Sequence, residues 1–98
     1  MIELTAVAER HLAELEAHYL ALERYKALLN LRAAFFEAAE KIERDPSAGK
    51  AAPAPYRGLA RPGRLWMKAG RYWFTYAIAP TLTITGIFYE SANIPGRI

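Results

Sequence analysis

The chain has 98 residues, contains no cysteine and has a formal net charge of +3. Its length allows one domain with a single core, and the lack of cysteine excludes a disulfide framework, a thiolate metal site and a thiol nucleophile. Residues 1–48 contain six Lys or Arg against nine Asp or Glu, whereas residues 49–98 contain seven against one. We therefore predict one domain over residues 1–98. Its basic half is expected to attract a polyanionic partner; the alternative is that the basic half only partly neutralises the acidic half of the same chain.

The sequence favours a protein of the cytoplasm that uses no membrane anchor, metal or cofactor. No apolar run approaches the roughly 20 residues of a membrane span, and the first residues lack the basic and apolar regions of a signal peptide. The two histidines, His11 and His18, both lie in the N-terminal half and give little support to a zinc site. No phosphate-binding glycine loop or nucleotide fingerprint is present.

The N-terminal half predicts a short strand followed by a helical hairpin. Ile2 to Thr5 alternates apolar and polar residues, with Thr5 suited to cap a helix. Ala6 to Arg44 contains no Gly or Pro and is rich in strong helix formers. One helix of this length would span about 60 Å, too long for so small a domain. We therefore predict a turn between Leu20 and Asn30, where Asn30 alone has cap character; an unbroken helix in a coiled coil is the alternative.

Two apolar stripes at three-four spacing predict the buried faces of the hairpin. One comprises Ala8, Leu12, Leu15, Tyr19, Leu22 and Leu29, and the other comprises Leu28, Leu31, Phe35, Ala38 or Ala39, and Ile42. The run Asp45-Pro46-Ser47-Ala48-Gly49 ends the second helix, because proline disfavours helical geometry in the residue before it. Residues 46–63 form a loop in which Ala52 to Pro55 is extended and brings Tyr56 towards the first strand of a sheet.

From Arg64 onwards the periodicity becomes two, which is typical of strands. A tight turn at Ala69-Gly70 joins two strands, with Arg71 opening the second, and a third strand follows Ala79-Pro80. The fold class is therefore α+β: a short N-terminal strand, a helical hairpin, and a three-stranded antiparallel meander that packs on the helices. The segment after Ser91 contains Pro95 and Gly96, which argue against a long final helix.

Strict alternation gives this sheet one face towards the helices and one basic, aromatic face. The first collects Leu65, Met67, Phe74, Leu82, Ile84 and Phe88; the second collects Arg64, Trp66, Lys68, Arg71, Trp73, Thr75, Thr83, Thr85 and Tyr89. Cations among aromatic rings can hold a nucleic-acid strand by phosphate contacts and base stacking, and the same chemistry suits an acidic protein segment. The alternative is that both tryptophans lie in the core.

Proton-transfer groups are scarce in the basic half. Glu90 is its only carboxylate and it contains no histidine, so Tyr89 and Tyr76 are the candidate proton donors. Arginines could stabilise the charged transition state of phosphodiester cleavage. The sequence therefore leaves open whether the protein is an enzyme.

The order of signals also resembles a known family. A short strand and a helical hairpin precede Asp45-Pro46-Ser47-Ala48-Gly49, Tyr56-Arg57-Gly58-Leu59, and Gly70-Arg71-Tyr72 leading a strand that ends in Tyr76. This order is similar to that of the RelE/ParE toxins of bacterial type II toxin–antitoxin modules, also described as plasmid stabilisation proteins. The resemblance covers nearly the whole chain and implies the α+β fold predicted above.

The resemblance implies growth inhibition through one of two targets. ParE-like members inhibit DNA gyrase, and RelE-like members cut mRNA on the ribosome. By this resemblance Arg71 matches the arginine that acts on the scissile phosphate, Arg64 a second basic residue, and Tyr89 the Tyr or His near the end of the last strand. The final strand has no histidine, which favours a ParE-like or otherwise non-nucleolytic toxin and leaves ribosome-dependent cleavage as the other target.

The sequence also predicts binding residues and a protein partner. Arg57, Arg61, Lys68, Trp66 and Trp73 are predicted to bind the target or nucleic acid. The resemblance implies a cognate antitoxin that neutralises the toxin in a hetero-oligomer and covers the groove between helix and sheet. The alternative function is a non-toxic nucleic-acid-binding module that uses the basic sheet face.

Overall fold

The structure, a computed structural model, describes residues 2–53, 56–91 and 94. In chain order the elements are β1 (Glu3–Leu4), α1 (Ala6–Ala21), α2 (Tyr25–Arg44), β2 (Leu65–Ala69), β3 (Tyr72–Ala77) and β4 (Thr83–Tyr89), with 3-10 turns at Pro46–Ala48 and Arg57–Leu59. The helices pack on one face of the sheet, so the predicted α+β class is confirmed. The one-domain boundary at residues 1–98 stays a prediction.

The helical hairpin forms largely as predicted. Thr5 caps α1, because its hydroxyl accepts a hydrogen bond from the Ala8 amide at 3.1 Å. The turn lies at residues 22–24, within the predicted interval, and this break contradicts the single long helix of the coiled-coil alternative. Asn30 lies inside α2, so its interpretation as a cap is wrong.

The turn between the helices is a Schellman motif with an unusual residue at its centre. The Arg24 amide donates to the Tyr19 carbonyl at 2.8 Å, and the Glu23 amide donates to the Leu20 carbonyl at 3.1 Å. Glu23 has a φ of 55°, in the left-handed region where glycine is usual. The sequence could not mark this turn clearly because a glutamate stands where a glycine would signal it.

The predicted apolar stripes are correct except at two positions. Ala8, Tyr19, Leu28, Leu31, Phe35, Ala38, Ala39 and Ile42 are buried in one cluster with the inner face of the sheet. Leu22 and Leu29 are exposed. Leu22 lies in the turn rather than in a helix, and Leu29 points away from the sheet. α2 ends at Arg44 before Pro46, as predicted.

The sheet has four strands in the order β1-β4-β3-β2. The meander β2-β3-β4 is antiparallel, as predicted, and β1 adds to β4 in parallel through Glu3 and Leu4. The hairpin turn differs from the prediction by one residue, since Gly70 and Arg71 form it and β3 begins at Tyr72. Gly70 has a φ of +56°, which glycine tolerates without strain.

A β-bulge in β4 reverses two of the predicted side-chain directions. Thr75 pairs with Gly86 and Tyr76 pairs with Ile84, so Thr85 is an extra residue opposite β3. After Thr85 the side chains of β4 therefore alternate between the two faces of the sheet in the opposite phase to the one predicted. Phe88, predicted on the helix side, faces outwards, whereas Tyr89, predicted on the basic face, packs against the core under the helices.

The outer face of the sheet carries a second, smaller core. Trp66, Trp73, Phe88 and Ile94 are buried together, and Tyr56 and Leu59 from the preceding loop pack against them. The loop returns to the sheet through Lys50, whose amide and carbonyl pair with those of Trp66 at 2.7 Å. The predicted extended piece at Ala52 to Pro55 lies partly outside the described residues, as does most of the segment after Ser91.

Candidate functional site

An open groove lies between the two helices and the end of the sheet that carries the β2-β3 turn. Its volume is about 1190 Å³. α1 and α2 form its walls, and β3, β4 and the turn form its floor. The lining is mixed: the guanidinium groups of Arg10, Arg24 and Arg71, the aromatic rings of His11, His18, Tyr19, Tyr72 and Tyr89, and small residues including Ala27, Ala33, Ala34 and Gly70.

A continuous series of side-chain contacts crosses this groove from the turn before α2 to the β2-β3 turn. The Arg24 guanidinium lies 5.6 Å from the centre of the Tyr19 ring, and the Tyr19 hydroxyl lies 2.6 Å from that of Tyr72. The ring of Tyr72 meets that of Tyr89 edge-on at 5.5 Å, and Arg71 donates to the Tyr89 hydroxyl at 3.1 Å. We call these five residues the tyrosine–arginine ladder; it has a cation at each end.

The ladder is electrostatically suited to binding rather than to proton transfer. Burial, followed by the hydrogen bond with Tyr19, raises the pKa of Tyr72 well above its ordinary value near 10. The hydrogen bond with Tyr89, followed by the charges of Tyr89 and Glu90, raises the pKa of Arg71. At neutral pH the Tyr72 hydroxyl therefore keeps its proton and the Arg71 guanidinium keeps its charge.

Carboxylates partly neutralise the groove: Glu14, 3.9 Å from Arg10, and Glu37 line it, and Glu90 lies at its mouth. Glu90 contacts Lys68 at 3.0 Å and Arg71 at 3.8 Å. Lys68 also lies over the Trp73 ring at 5.9 Å, on the outer face of the sheet. Glu90 therefore links a cation of the outer face to a cation of the groove.

His11 completes the edge of the sheet beside the groove. β1 is too short to pair with the second half of β4, and the Ile87 amide instead donates to Nδ1 of His11 at 3.2 Å. The His11 ring packs on Phe88 with centroids 5.0 Å apart. Because Nδ1 accepts this bond, it holds no proton in the structure.

The three residues predicted for catalysis do not come together. Arg71 and Tyr89 are hydrogen-bonded in the groove. Arg64 precedes β2 at its opposite end, roughly 17 Å away over five residues at about 3.3 Å each. It is exposed there, with its amide bonded to the Arg61 carbonyl at 3.2 Å. Arg64 and Arg71, which alternation assigned to one face of the sheet, lie at opposite ends of the hairpin.

The predicted binding residues also divide into separate groups. Trp66 and Trp73 are only 3% and 6% exposed, so the prediction that their rings present an open stacking surface is wrong. Loop residues and Ile94 pack in the same cluster and close this face. Arg57 and Arg61 are exposed on the loop that covers it, where Arg61 donates to the carbonyls of Gly58 and Ala60.

Sequence reasoning missed the helical side of the site. Tyr19 was correctly predicted to be buried as part of an apolar stripe, but its hydrogen bond with the Tyr72 hydroxyl was not predicted. A buried tyrosine usually needs a partner for its hydroxyl, and that requirement is the signal that could have pointed to a polar contact under the helices. Within the described ranges, no three His, Asp or Glu side chains are grouped as a metal site would need.

Comparison with known proteins identifies the fold. No family model and no curated protein matches the sequence. Among solved structures, a chain described as "Chromosomal ParDE TA system from P. aeruginosa" matches with a TM-score of 0.65 over 91% of this chain and 96% of that chain, at 19% sequence identity.

The fold is ParE-like. The fold that the RelE/ParE resemblance implied is therefore confirmed. In this ParE-like chain neither α1 nor α2, the α-helices of the described residues, has the length and apolar character needed to cross a bilayer.

Proposed function

We propose that this protein is the toxin of a bacterial toxin–antitoxin module of the plasmid stabilisation type, and that it arrests growth in the cytoplasm by inhibiting DNA gyrase. The ParE-like fold supports the toxin class. The observation that carries the choice of target is the closed outer face of the sheet. Trp66, Trp73 and Phe88 fill that face with a buried core, so this face of the described sheet offers no open aromatic surface on which an RNA strand could stack.

The chemistry of the groove favours the same choice over ribosome-dependent mRNA cleavage. Cleavage needs a group that takes a proton and another that gives one. Tyr89 is bonded to Arg71, and the neighbouring carboxylate of Glu90 is paired with Lys68. Arg64 is too distant to act on the same phosphate as Arg71. A protein target needs only complementary surfaces, which the exposed arginines of the loop and groove provide.

Two assays on the purified chain separate the targets. We expect inhibition of gyrase supercoiling and no cleavage of mRNA in a translating ribosome mixture. Induced expression should arrest growth, and co-expression of the product of the adjacent small gene should restore it. Cleavage without gyrase inhibition would contradict the choice of target, and normal growth at good expression would contradict the toxin class.

Charge reversal on the loop tests which surface meets the target. We expect Arg57→Glu with Arg61→Glu to weaken gyrase inhibition about tenfold or more, because both guanidiniums are exposed and close in sequence. The matched control is Arg44→Glu at the end of α2, which should inhibit like the unchanged protein. Equal inhibition by all three proteins would remove the loop from the target surface.

The antitoxin that we propose as partner inserts an acidic, amphipathic segment into the groove. Arg24 and Arg71 stand at the two ends of the ladder, with the half-buried ring of Tyr89 beside Arg71, and Arg10 of α1, paired with Glu14 at 3.9 Å, lines the same groove. We expect Arg71→Glu to reduce antitoxin affinity at least about tenfold, measured by calorimetry. The control Arg64→Glu, at the far end of β2, should leave affinity unchanged; equal losses would place the segment elsewhere.

A second candidate function is a non-toxic nucleic-acid-binding module. One observation favours it: residues 46–89 contain no Asp or Glu, and Arg57, Arg61 and Arg64 are exposed within eight positions. This function predicts affinity for single strands that falls steeply as salt rises, no growth arrest, and loss of binding in the Arg57→Glu, Arg61→Glu protein.

A further inference from the structure

The outward face of α2 carries large apolar side chains that nothing in the described structure covers. Tyr25, Leu29 and Phe36 are 57%, 63% and 62% exposed. Spacings of four and seven residues place them on one side of the helix. That side differs from the face buried against the sheet and lies next to the side that lines the groove, with Ala33 at the border and also part of the groove lining. We call Tyr25, Leu29 and Phe36 the outer stripe.

The outer stripe is arranged so that it can pair with itself. Leu29 and Phe36 are placed symmetrically about the point between Arg32 and Ala33. A second α2 lying antiparallel across that point would put Leu29 of each copy against Phe36 of the other. The small side chain of Ala33 at the centre allows the two helices to approach closely. An isologous contact of this kind is the commonest way in which identical chains associate.

The charges beside the stripe are complementary in the same arrangement. Lys26 lies near the N-terminal end of the stripe, and Glu40, which also contacts Arg44 at 3.6 Å, lies near its C-terminal end. An antiparallel pair therefore brings each lysine close to the glutamate of the other copy. Arg32, which would meet its own copy at the centre, is already paired with Glu16 of α1 at 3.1 Å. A parallel pair would instead set Lys26 against Lys26 and Glu40 against Glu40. The charges therefore favour the antiparallel arrangement.

We propose that the outer stripe is a self-association surface, through which two copies of this chain form an antiparallel, two-fold symmetric α2–α2 contact. Three large apolar side chains from each copy are fewer than a standard interface of about 1,600 Å² provides. The dimer is therefore weak and dissociates on dilution. The loop arginines lie elsewhere, so each copy keeps them exposed, and the contact reaches the groove only at its edge, at Ala33. The proposal is independent of the toxin function.

The first test is sedimentation velocity of the full chain over a wide concentration series. We expect a reversible shift from monomer to dimer. Phe36→Asp should raise the dimer dissociation constant at least about tenfold, while Ile78→Asp, at an exposed apolar residue outside the stripe, should leave it unchanged. Circular dichroism checks that both variants fold. A monomer at every concentration, or a dimer that Phe36→Asp leaves intact, would overturn the proposal.

The second test is charge reversal. Lys26→Glu and Glu40→Lys should each weaken the dimer, because each sets two like charges against one another, and the double variant should restore it. Failure of the double variant to restore association would rule out the antiparallel contact. If the chain alone stays monomeric and its stripe is protected from hydrogen exchange only when antitoxin is added, the stripe belongs to that partner and the proposal is wrong.

Discussion

The hydroxyl groups of Tyr19 on α1 and Tyr72 on β3 lie 2.6 Å apart in the buried interior between the first helix and the sheet. Each buried hydroxyl is the hydrogen-bond partner of the other. Removing one leaves a buried hydroxyl without its bond, whereas removing both leaves two phenyl rings in an apolar setting. The pair therefore ties the helical hairpin to the sheet at the middle of the groove.

Tyr19→Phe and Tyr72→Phe should each lower the free energy of unfolding by about 1–2 kcal/mol. The double variant should lose less than the sum of the two, because neither remaining ring has an unsatisfied hydroxyl. Urea unfolding of the four proteins measures this double-mutant cycle. Additive losses would show that the two hydroxyls do not interact in solution.

The raised pKa of Tyr72 predicts a loss of stability in alkali. Burial and the hydrogen bond with Tyr19 keep the folded form protonated, whereas the unfolded chain ionises near its ordinary value of about 10. The unfolded state then holds fewer protons, so the free energy of unfolding is at its full value below about pH 10 and falls as pH rises further. Tyr72→Phe should make the free energy of unfolding fall less steeply with pH above about pH 10, as measured from unfolding curves at several pH values. If the fall is as steep in this variant, other groups cause it.

Gly49 lies where a side chain would collide with a hydrogen-bonded tyrosine. A Cβ there would overlap the Tyr76 hydroxyl, which accepts from the Gly49 amide at 3.0 Å and donates to the Pro46 carbonyl at 2.6 Å. Gly49→Ala should therefore cost about 1–3 kcal/mol in the free energy of unfolding. Gly58→Ala is the matched control, since no atom lies within 4 Å of its Cβ position. Similar costs for both would contradict this packing.

The same substitution should have opposite effects at two glutamates. Glu23 has a φ of 55° in the turn between the helices. This conformation costs a residue with a side chain about 1–2 kcal/mol, whereas glycine adopts it freely but loses more backbone entropy on folding. Glu23→Gly should therefore stabilise the fold by about 0.5–1 kcal/mol. Glu14→Gly, within α1, should destabilise by about 1 kcal/mol. Thermal unfolding distinguishes the two, and destabilisation by both would argue against the turn geometry.

Glu90 should slow the approach of an acidic partner rather than stabilise the fold. Its contacts with Lys68 and Arg71 are at the surface, so Glu90→Gln should change stability by less than about 1 kcal/mol. Freeing both cations should increase the association rate of the acidic antitoxin segment and steepen its dependence on salt. Stopped-flow binding measures both. The control Glu43→Gln, exposed near the end of α2, should leave the rate unchanged.

Much of the fold could be predicted because local chemistry fixes it. Thr5 at the start of α1, the lack of Gly and Pro up to Arg44, and Pro46 after α2 determine where the helices begin and end. The tight turn at Gly70 and the alternation around it determine the β2-β3 hairpin. These signals act over a few residues, so they can be read from neighbours in the chain. The parallel pairing of β1 with β4 joins residues about 80 positions apart, and no local pattern indicates it.

The candidate site was predicted only in part, for the same reason. Arg71 and Tyr89 were identified, but a single extra residue in β4 decides which way Tyr89 points, and alternation alone cannot reveal a bulge. The position of Arg64 at the far end of β2 and the cover over Trp66 likewise follow from how the hairpin and loop fold. The sequence by itself determined the helices, the strands and the basic half of the chain. Only the tertiary structure decided the faces of Phe88 and Tyr89 and the burial of Trp66 and Trp73, because burial depends on what distant segments bring to a face.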